Sequence, residues 1–135
     1  MTRLRTALVG AGKVSHLHAA ALKALPGSEF VAVCGRAKPS LDAFAAKYGV
    51  RAFTDVGEMI RGAGVQAMVV CTPHPAHAAP TIAAARAGVH VLVEKPMAST
   101  LADCDAMMAA ADAAGHCHSN ATRRNAGCWR ANRRR

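Results

Sequence analysis

Five short apolar runs, each followed by a stretch with helical spacing that stops at or beside a glycine, constrain this chain more than any other feature. The runs are residues 4–9, 30–34, 50–53, 67–71 and 89–93. Phe30-Val31-Ala32-Val33-Cys34 is apolar without alternation, the pattern of a strand covered on both faces. Such strands belong to parallel sheets, whose neighbours need right-handed helical crossovers, so helices end up on both faces. The expectation is a doubly wound α/β sheet of five parallel strands, order 3-2-1-4-5.

The helical stretches carry their own punctuation. Val14, Leu17, Ala21, Leu22 and Leu25 form a stripe expected to pack on the sheet, stopped by Pro26-Gly27. Ser40 is placed to cap a helix bearing Leu41, Phe44, Ala45 and Tyr48, with Gly49 at its end. Asp55 with Glu58 reads as a capping box for a helix reaching Arg61 and closed by Gly62. Residues 76–87 form an alanine-rich helix ended by Gly88, and Thr100 with Asp103 opens a last helix over 101–114 that stops at Gly115.

A chain of 135 residues matches one domain and should bury roughly two-thirds of its unfolded surface, enough for a core without disulfides or metal. The five cysteines, odd in number and without a C-x-x-C pair, point to free thiols in a reducing compartment. No run approaches the ~18 apolar residues of a membrane span, and the first residues lack a secretory apolar core. Cytoplasmic location, with no membrane contact, is the expectation.

Charge is unevenly distributed. Residues 1–115 hold 11 Lys and Arg against 8 Asp and Glu, whereas 116–135 hold six arginines and no acid. Most of the net charge of +9 therefore belongs to the last stretch and says little about partners of the body. Nucleic-acid binding by those arginines is disfavoured, because a single tryptophan gives no stacking platform. His116, Cys117, His118 and Cys128 match no standard zinc spacing, and no metal is expected. The division is residues 1–115 as one α/β domain and 116–135 as a basic, disordered or aberrant tail.

Gly10-Ala11-Gly12-Lys13-Val14-Ser15 closes the first strand and opens the first helix. In that setting the first glycine permits the tight turn, the second lets backbone approach a pyrophosphate, and the helix N-terminus offers free N–H groups. Lys13 and Val14 begin that helix beside the phosphates; Ser15 is small enough for close helix-on-strand packing. A carboxylate that would hold the ribose hydroxyls of NAD is absent where the second strand ends, which reads Cys34-Gly35-Arg36. Glu29 lies at the strand's other end. Arg36 and Lys38 could attract a 2′-phosphate, which favours NADP over NAD, although Arg36 is also compatible with a plain surface role.

Two further motifs stand at strand ends: Thr72-Pro73-His74-Pro75-Ala76-His77 and Glu94-Lys95-Pro96. With the glycine turn, they resemble the N-terminal domain of the Gfo/Idh/MocA oxidoreductases, over Leu4 to about Gly115. The resemblance implies an NAD(P)-dependent hydride transfer to or from a sugar, cyclitol or related hydroxyl compound. It assigns Lys95 to the neighbourhood of the nicotinamide and the substrate's reacting oxygen, as the catalytic residue. Glu94 and Pro96 shape that turn, with the Lys95–Pro96 bond a candidate for cis. Thr72 and Pro73 line the ribose and nicotinamide side. His77 is matched to the cofactor-side histidine, though capping or packing at a helix start suits it equally.

Members of that family continue into a sixth strand and a second α+β domain carrying the substrate pocket, much of the oligomer interface and a base. Neither feature is legible after Gly115. The alternative to an oxidoreductase is thus a non-catalytic dinucleotide-binding module or a truncated gene product, and a bare fifth-strand edge is expected.

Overall fold

The computed structural model describes residues 2–115 and 118–121. Its centre is β1 (Leu4–Val9), flanked by β2 (Ser28–Cys34) and β3 (Arg51–Phe53) on one side and by β4 (Ala67–Val70), β5 (His90–Glu94) and β6 (His118–Ala121) on the other. The sheet order is β3-β2-β1-β4-β5-β6, with every pair parallel. The five expected strands and their order are present. Five helices connect or follow them: α1 (Lys13–Ala24), α2 (Lys38–Tyr48), α3 (Val56–Ala63), α4 (Ala78–Arg86) and α5 (Leu101–Ala114).

The sixth strand corrects the reading of the chain after Gly115. Its register runs from Val91↔His118 to Glu94↔Ala121, so the β5 edge is paired rather than bare. A ladder is made by backbone N–H and C=O groups, which every residue here carries. His-Ser-Asn-Ala satisfies it without the apolar pattern from which strands are read. Residues 116–117 and 122–135, with Cys117, Cys128 and the six arginines, lie outside the described residues.

Alternation along β1 divides the core into two layers. Ala7 and Val9 join Ala32, Met59, Met68, Val70, Val93 and Met107 on one face, while Leu8 joins Phe30, Val33, Leu41, Phe44 and Val69 on the other. Phe30 and Val33 are three residues apart yet share a face. A register shift makes this possible, since Thr6 pairs with Phe30 but Ala7 pairs with Ala32, leaving Val31 as the extra residue. Each large side chain such as Leu8, Leu41 or Met68, buried to 2% exposure or less, contributes about 1.5–3 kcal/mol relative to an exposed one.

The α1 stripe is rotated from expectation. Val14, Leu17 and Leu25 are exposed, Leu17 to 73%, and the face against the sheet is Ser15 and Ala19 with Leu22 half-buried. Small residues at positions 15 and 19 let the helix axis approach the sheet next to the glycine turn, and that close approach decides the face. Other differences are at boundaries. α2 begins at Lys38, where Pro39 fits the first turn, and Ser40 Oγ donates to the Ala37 carbonyl instead of capping. α3 runs through Gly62 to Ala63 and closes on Gly64, whose φ of 61° is left-handed. A single 3₁₀ turn, His74–Ala76, precedes α4. The Thr100 hydroxyl accepts from Asp103 N at 3.1 Å, as the capping signature requires.

Candidate functional site

The glycine turn is built by two glycines with different physical reasons. Gly10 has φ +105°, and a Cβ there would lie 2.8 Å from the Cys71 carbonyl oxygen and 2.9 Å from its carbon. Glycine is required at position 10 because the backbones leaving β1 and β4 touch. Backbone bonds fix the junction: Gly10 N donates to the Cys34 carbonyl at 2.8 Å, and Cys71 N to the Val9 carbonyl at 2.7 Å. Gly12 is unconstrained, with φ −87°, and a Cβ there would meet no atom of the described residues within 4 Å. Nothing among the described residues requires glycine at this position. It is the N-cap of α1, no side chain caps that end, and no acid occupies the first turn. The unpaired N–H groups of a helix start and their positive potential therefore face open space bordered by glycine. Lys13 and Val14 are exposed at its rim.

Beneath the turn, Ser15 is fully buried, and its hydroxyl makes no hydrogen bond of ordinary geometry among the described residues. It neighbours the Cys71 thiol. Burial pushes that thiol up to about 12, the Glu94 carboxylate adds to the rise, and the Ser15 hydroxyl opposes it. At the end of β2, Cys34 is raised to about 11 by burial first and the Asp55 carboxylate second. Asp55 is occupied as the α3 cap, accepting from Glu58 N at 2.8 Å. Arg36 is exposed, and its guanidinium has no ion pair or hydrogen bond among the described residues. Lys38 is paired with Asp42 at 2.9 Å. Glu29 faces Arg5 at 3.4 Å, at the opposite end of the strands.

The loops after β4 and β5 complete the edge. Thr72 Oγ1 donates to the Ala76 carbonyl at 3.0 Å, closing its loop on itself, and Pro73 is exposed beside it. Glu94 is bracketed: Oε1 lies 2.7 Å from His18 Nε2 of α1, and Oε2 accepts from Lys95 N at 3.1 Å. Both His18 and Glu94 side chains are 20% exposed, so the contact is partly shielded from water. Lys95 is exposed, its ammonium has no partner among the described residues, and the Lys95–Pro96 bond is cis.

His77 departs from its expected place. The ring is fully buried, with Nε2 2.7 Å from the Thr72 carbonyl and Nδ1 2.9 Å from that of Pro96, leaving no ring nitrogen for a ligand. His18 was not legible in the sequence as a site residue, because its partner Glu94 lies 76 positions away. A histidine on the sheet-facing side of the helix after the glycine turn is the one signal that could have suggested it.

Gly10, Gly12, Lys13, Val14, Arg36, Thr72, Pro73, Glu94 and Lys95 thus gather at the carboxyl ends of β1, β2, β4 and β5. The order reverses between β1 and β4, the crevice where open α/β sheets take ligands. No group of metal-binding side chains occurs among the described residues, and no helix among them is long and apolar enough to cross a membrane.

Glycine turn, bare helix start and switch point together define the class: an NAD-binding Rossmann domain. The chain belongs to the Gfo/Idh/MocA family, described as an oxidoreductase family with an NAD-binding Rossmann fold, whose profile matches residues 4–122. It is 40% identical over 106 residues to 4-carboxy-2-hydroxymuconate-6-semialdehyde dehydrogenase of Sphingobium sp., covering 78% of this chain and 34% of that protein. It is 33% identical over 106 residues to myo-inositol 2-dehydrogenase of Thermotoga maritima, covering 78% and 32%. Among solved structures, the WlbA dehydrogenase of Bordetella pertussis, in complex with NADH and UDP-GlcNAcA, superimposes with a TM-score of 0.82 at 34% identity, covering 86% of this chain and 34% of that one. The chain spans about a third of the length of these relatives.

Proposed function

We propose that this chain binds a nicotinamide dinucleotide along the carboxyl edge of β1, β2, β4 and β5, as the nucleotide half of a Gfo/Idh/MocA oxidoreductase acting on a sugar, cyclitol or related hydroxyl compound. The observation that carries the reading is Gly12, whose missing side chain opens space that no atom of the described residues enters. Gly12 admits the pyrophosphate to the α1 N-terminus, with Lys13 and Val14 at the rim. Thr72 and Pro73 line the ribose and nicotinamide side. The bound cofactor supplies the hydride donor or acceptor. The Lys95 ammonium, without a partner among the described residues, stabilises charge developing on the substrate oxygen, and Glu94 holds the turn from which it projects.

Arg36, without a competing acid, recognises a 2′-phosphate, so NADP(H) is favoured over NAD(H). Residues 1–115, with β6 paired to the β5 edge, form the nucleotide domain. The three free thiols among the described residues, Cys34, Cys71 and Cys104, support assignment to the cytoplasm. The partners are the dinucleotide and a small hydroxyl compound, not nucleic acid or membrane.

Titration with NADPH and NADH, followed by nicotinamide fluorescence, tests the proposal. Saturable binding lost in Gly12→Val supports the site, and an affinity for NADPH that falls toward that for NADH in Arg36→Ala supports the ranking. Folded protein that binds neither cofactor overturns the reading; tighter NADH binding overturns the preference alone.

A further inference from the structure

His77 is the polar side chain that joins the two loops of the site, and its surroundings are unlike those of a packing histidine. It stands at the N-cap of α4 but makes no cap bond with its ring. Its carbonyl is instead held by Thr81, whose hydroxyl donates to it at 2.7 Å from within the fully buried interior. With the backbone so pinned, Nε2 lies 2.7 Å from the Thr72 carbonyl, and Nδ1 lies 2.9 Å from the Pro96 carbonyl and 3.3 Å from that of Met97. One loop carries Thr72 and Pro73; the other carries Lys95. All three partners are acceptors, so each ring nitrogen that carries a hydrogen donates it to one of the two loops. Carbonyls buried against an apolar residue in its place would lose those donors.

We infer that His77 is a positioning residue: a buried clamp that sets the distance between the β4 and β5 loops and so fixes Lys95 against the nicotinamide half of the site. The inference rests on the dinucleotide reading for its consequence, though not for the clamp itself. From the other side, His18 grips Glu94. Lys95 therefore projects from a turn held at its first residue by α1 and at its last by the N-cap of α4, while its own ammonium has no partner among the described residues.

The test compares wild type with His77→Ala and His77→Gln, the latter keeping one donor. Each binds NADPH and, separately, 2′,5′-ADP, which has the adenine half without nicotinamide. Misplacing the Lys95 turn should weaken NADPH about tenfold in His77→Ala and leave 2′,5′-ADP within about twofold, with His77→Gln intermediate. Backbone amide exchange of Ala76 and Lys95, whose N–H groups donate to the Pro73 carbonyl and the Glu94 carboxylate, should accelerate by about tenfold or more while β1 amides keep their protection. Equal weakening of both ligands, or exchange that rises uniformly, would show a general loss of stability and overturn the clamp. If wild type binds neither ligand nor NADH, the dinucleotide reading fails, and selective opening at Ala76 and Lys95 still decides the clamp. Should His77→Ala not fold, His77→Gln carries both comparisons, with a smaller NADPH loss of about threefold expected.

Discussion

Replacing Gly12 by serine should make the protein more stable and stop it binding dinucleotide. Position 12 has φ −87°, which any residue adopts, and a Cβ there meets nothing within 4 Å among the described residues, so no strain or clash arises with them. Serine is a better N-cap than glycine by a few tenths of a kcal/mol, and removing a glycine restricts the unfolded chain by about 0.4–1 kcal/mol more. The expected gain is about 0.5–1.5 kcal/mol. Gly10→Ala, two residues earlier in the same motif, has the opposite sign. Its φ of +105° costs an L-residue about 1–3 kcal/mol, and a Cβ 2.8 Å from the Cys71 carbonyl forces backbone apart for about 1–3 kcal/mol more. The sum, about 2–6 kcal/mol, is a large part of the ~5–15 kcal/mol that usually holds a domain together. Urea unfolding of both variants, with NADPH titration of Gly12→Ser, reads all of this. A Gly12→Ser protein destabilised by more than about 1 kcal/mol, or one binding NADPH with wild-type affinity, would refute the assignment of that space to a ligand.

The two perturbed thiols predict an alkaline limit. Both are raised, so the unfolded chain releases these protons near 9.0 while the folded chain keeps them to about 11 at Cys34 and about 12 at Cys71. Their contribution is intact below about pH 9 and is lost as pH rises toward 11–12, each thiol giving up at most about 1.4 kcal/mol for every pH step of one in that window. Urea midpoints from pH 8 to 10.5 should fall more steeply in wild type than in Cys34→Ala/Cys71→Ala; parallel slopes would count against buried, protonated thiols. Thr100→Ala removes the acceptor for Asp103 N and should lower stability by about 1 kcal/mol in thermal unfolding, an unchanged midpoint showing that the α5 start is held otherwise. Lys95→Met, losing an exposed ammonium without a partner among the described residues, should leave thermal stability within about 0.5 kcal/mol of wild type; a larger loss would mean the lysine is structural.

By itself the sequence determined the α/β class, the order of the first five strands, the glycine turn and the motifs at strand ends. These depend on local properties: apolar runs, capping residues and glycines that act within a few positions of themselves. Asp55, Gly49 and the Thr100 cap were legible for that reason. Tertiary structure alone decided which face of α1 meets the sheet, because the choice lies between Leu17 and the Ser15–Ala19 pair and turns on how near the helix must come. It alone decided that Gly10 serves contact with Cys71 while Gly12 serves none, a distinction two identical residues cannot express in sequence. The polar strand β6 exists by backbone pairing with β5, to which side-chain pattern is blind. His18 and His77 acquire their roles from Glu94, Thr72 and Pro96, and a hydrogen bond between residues distant in the chain is recorded only in their meeting.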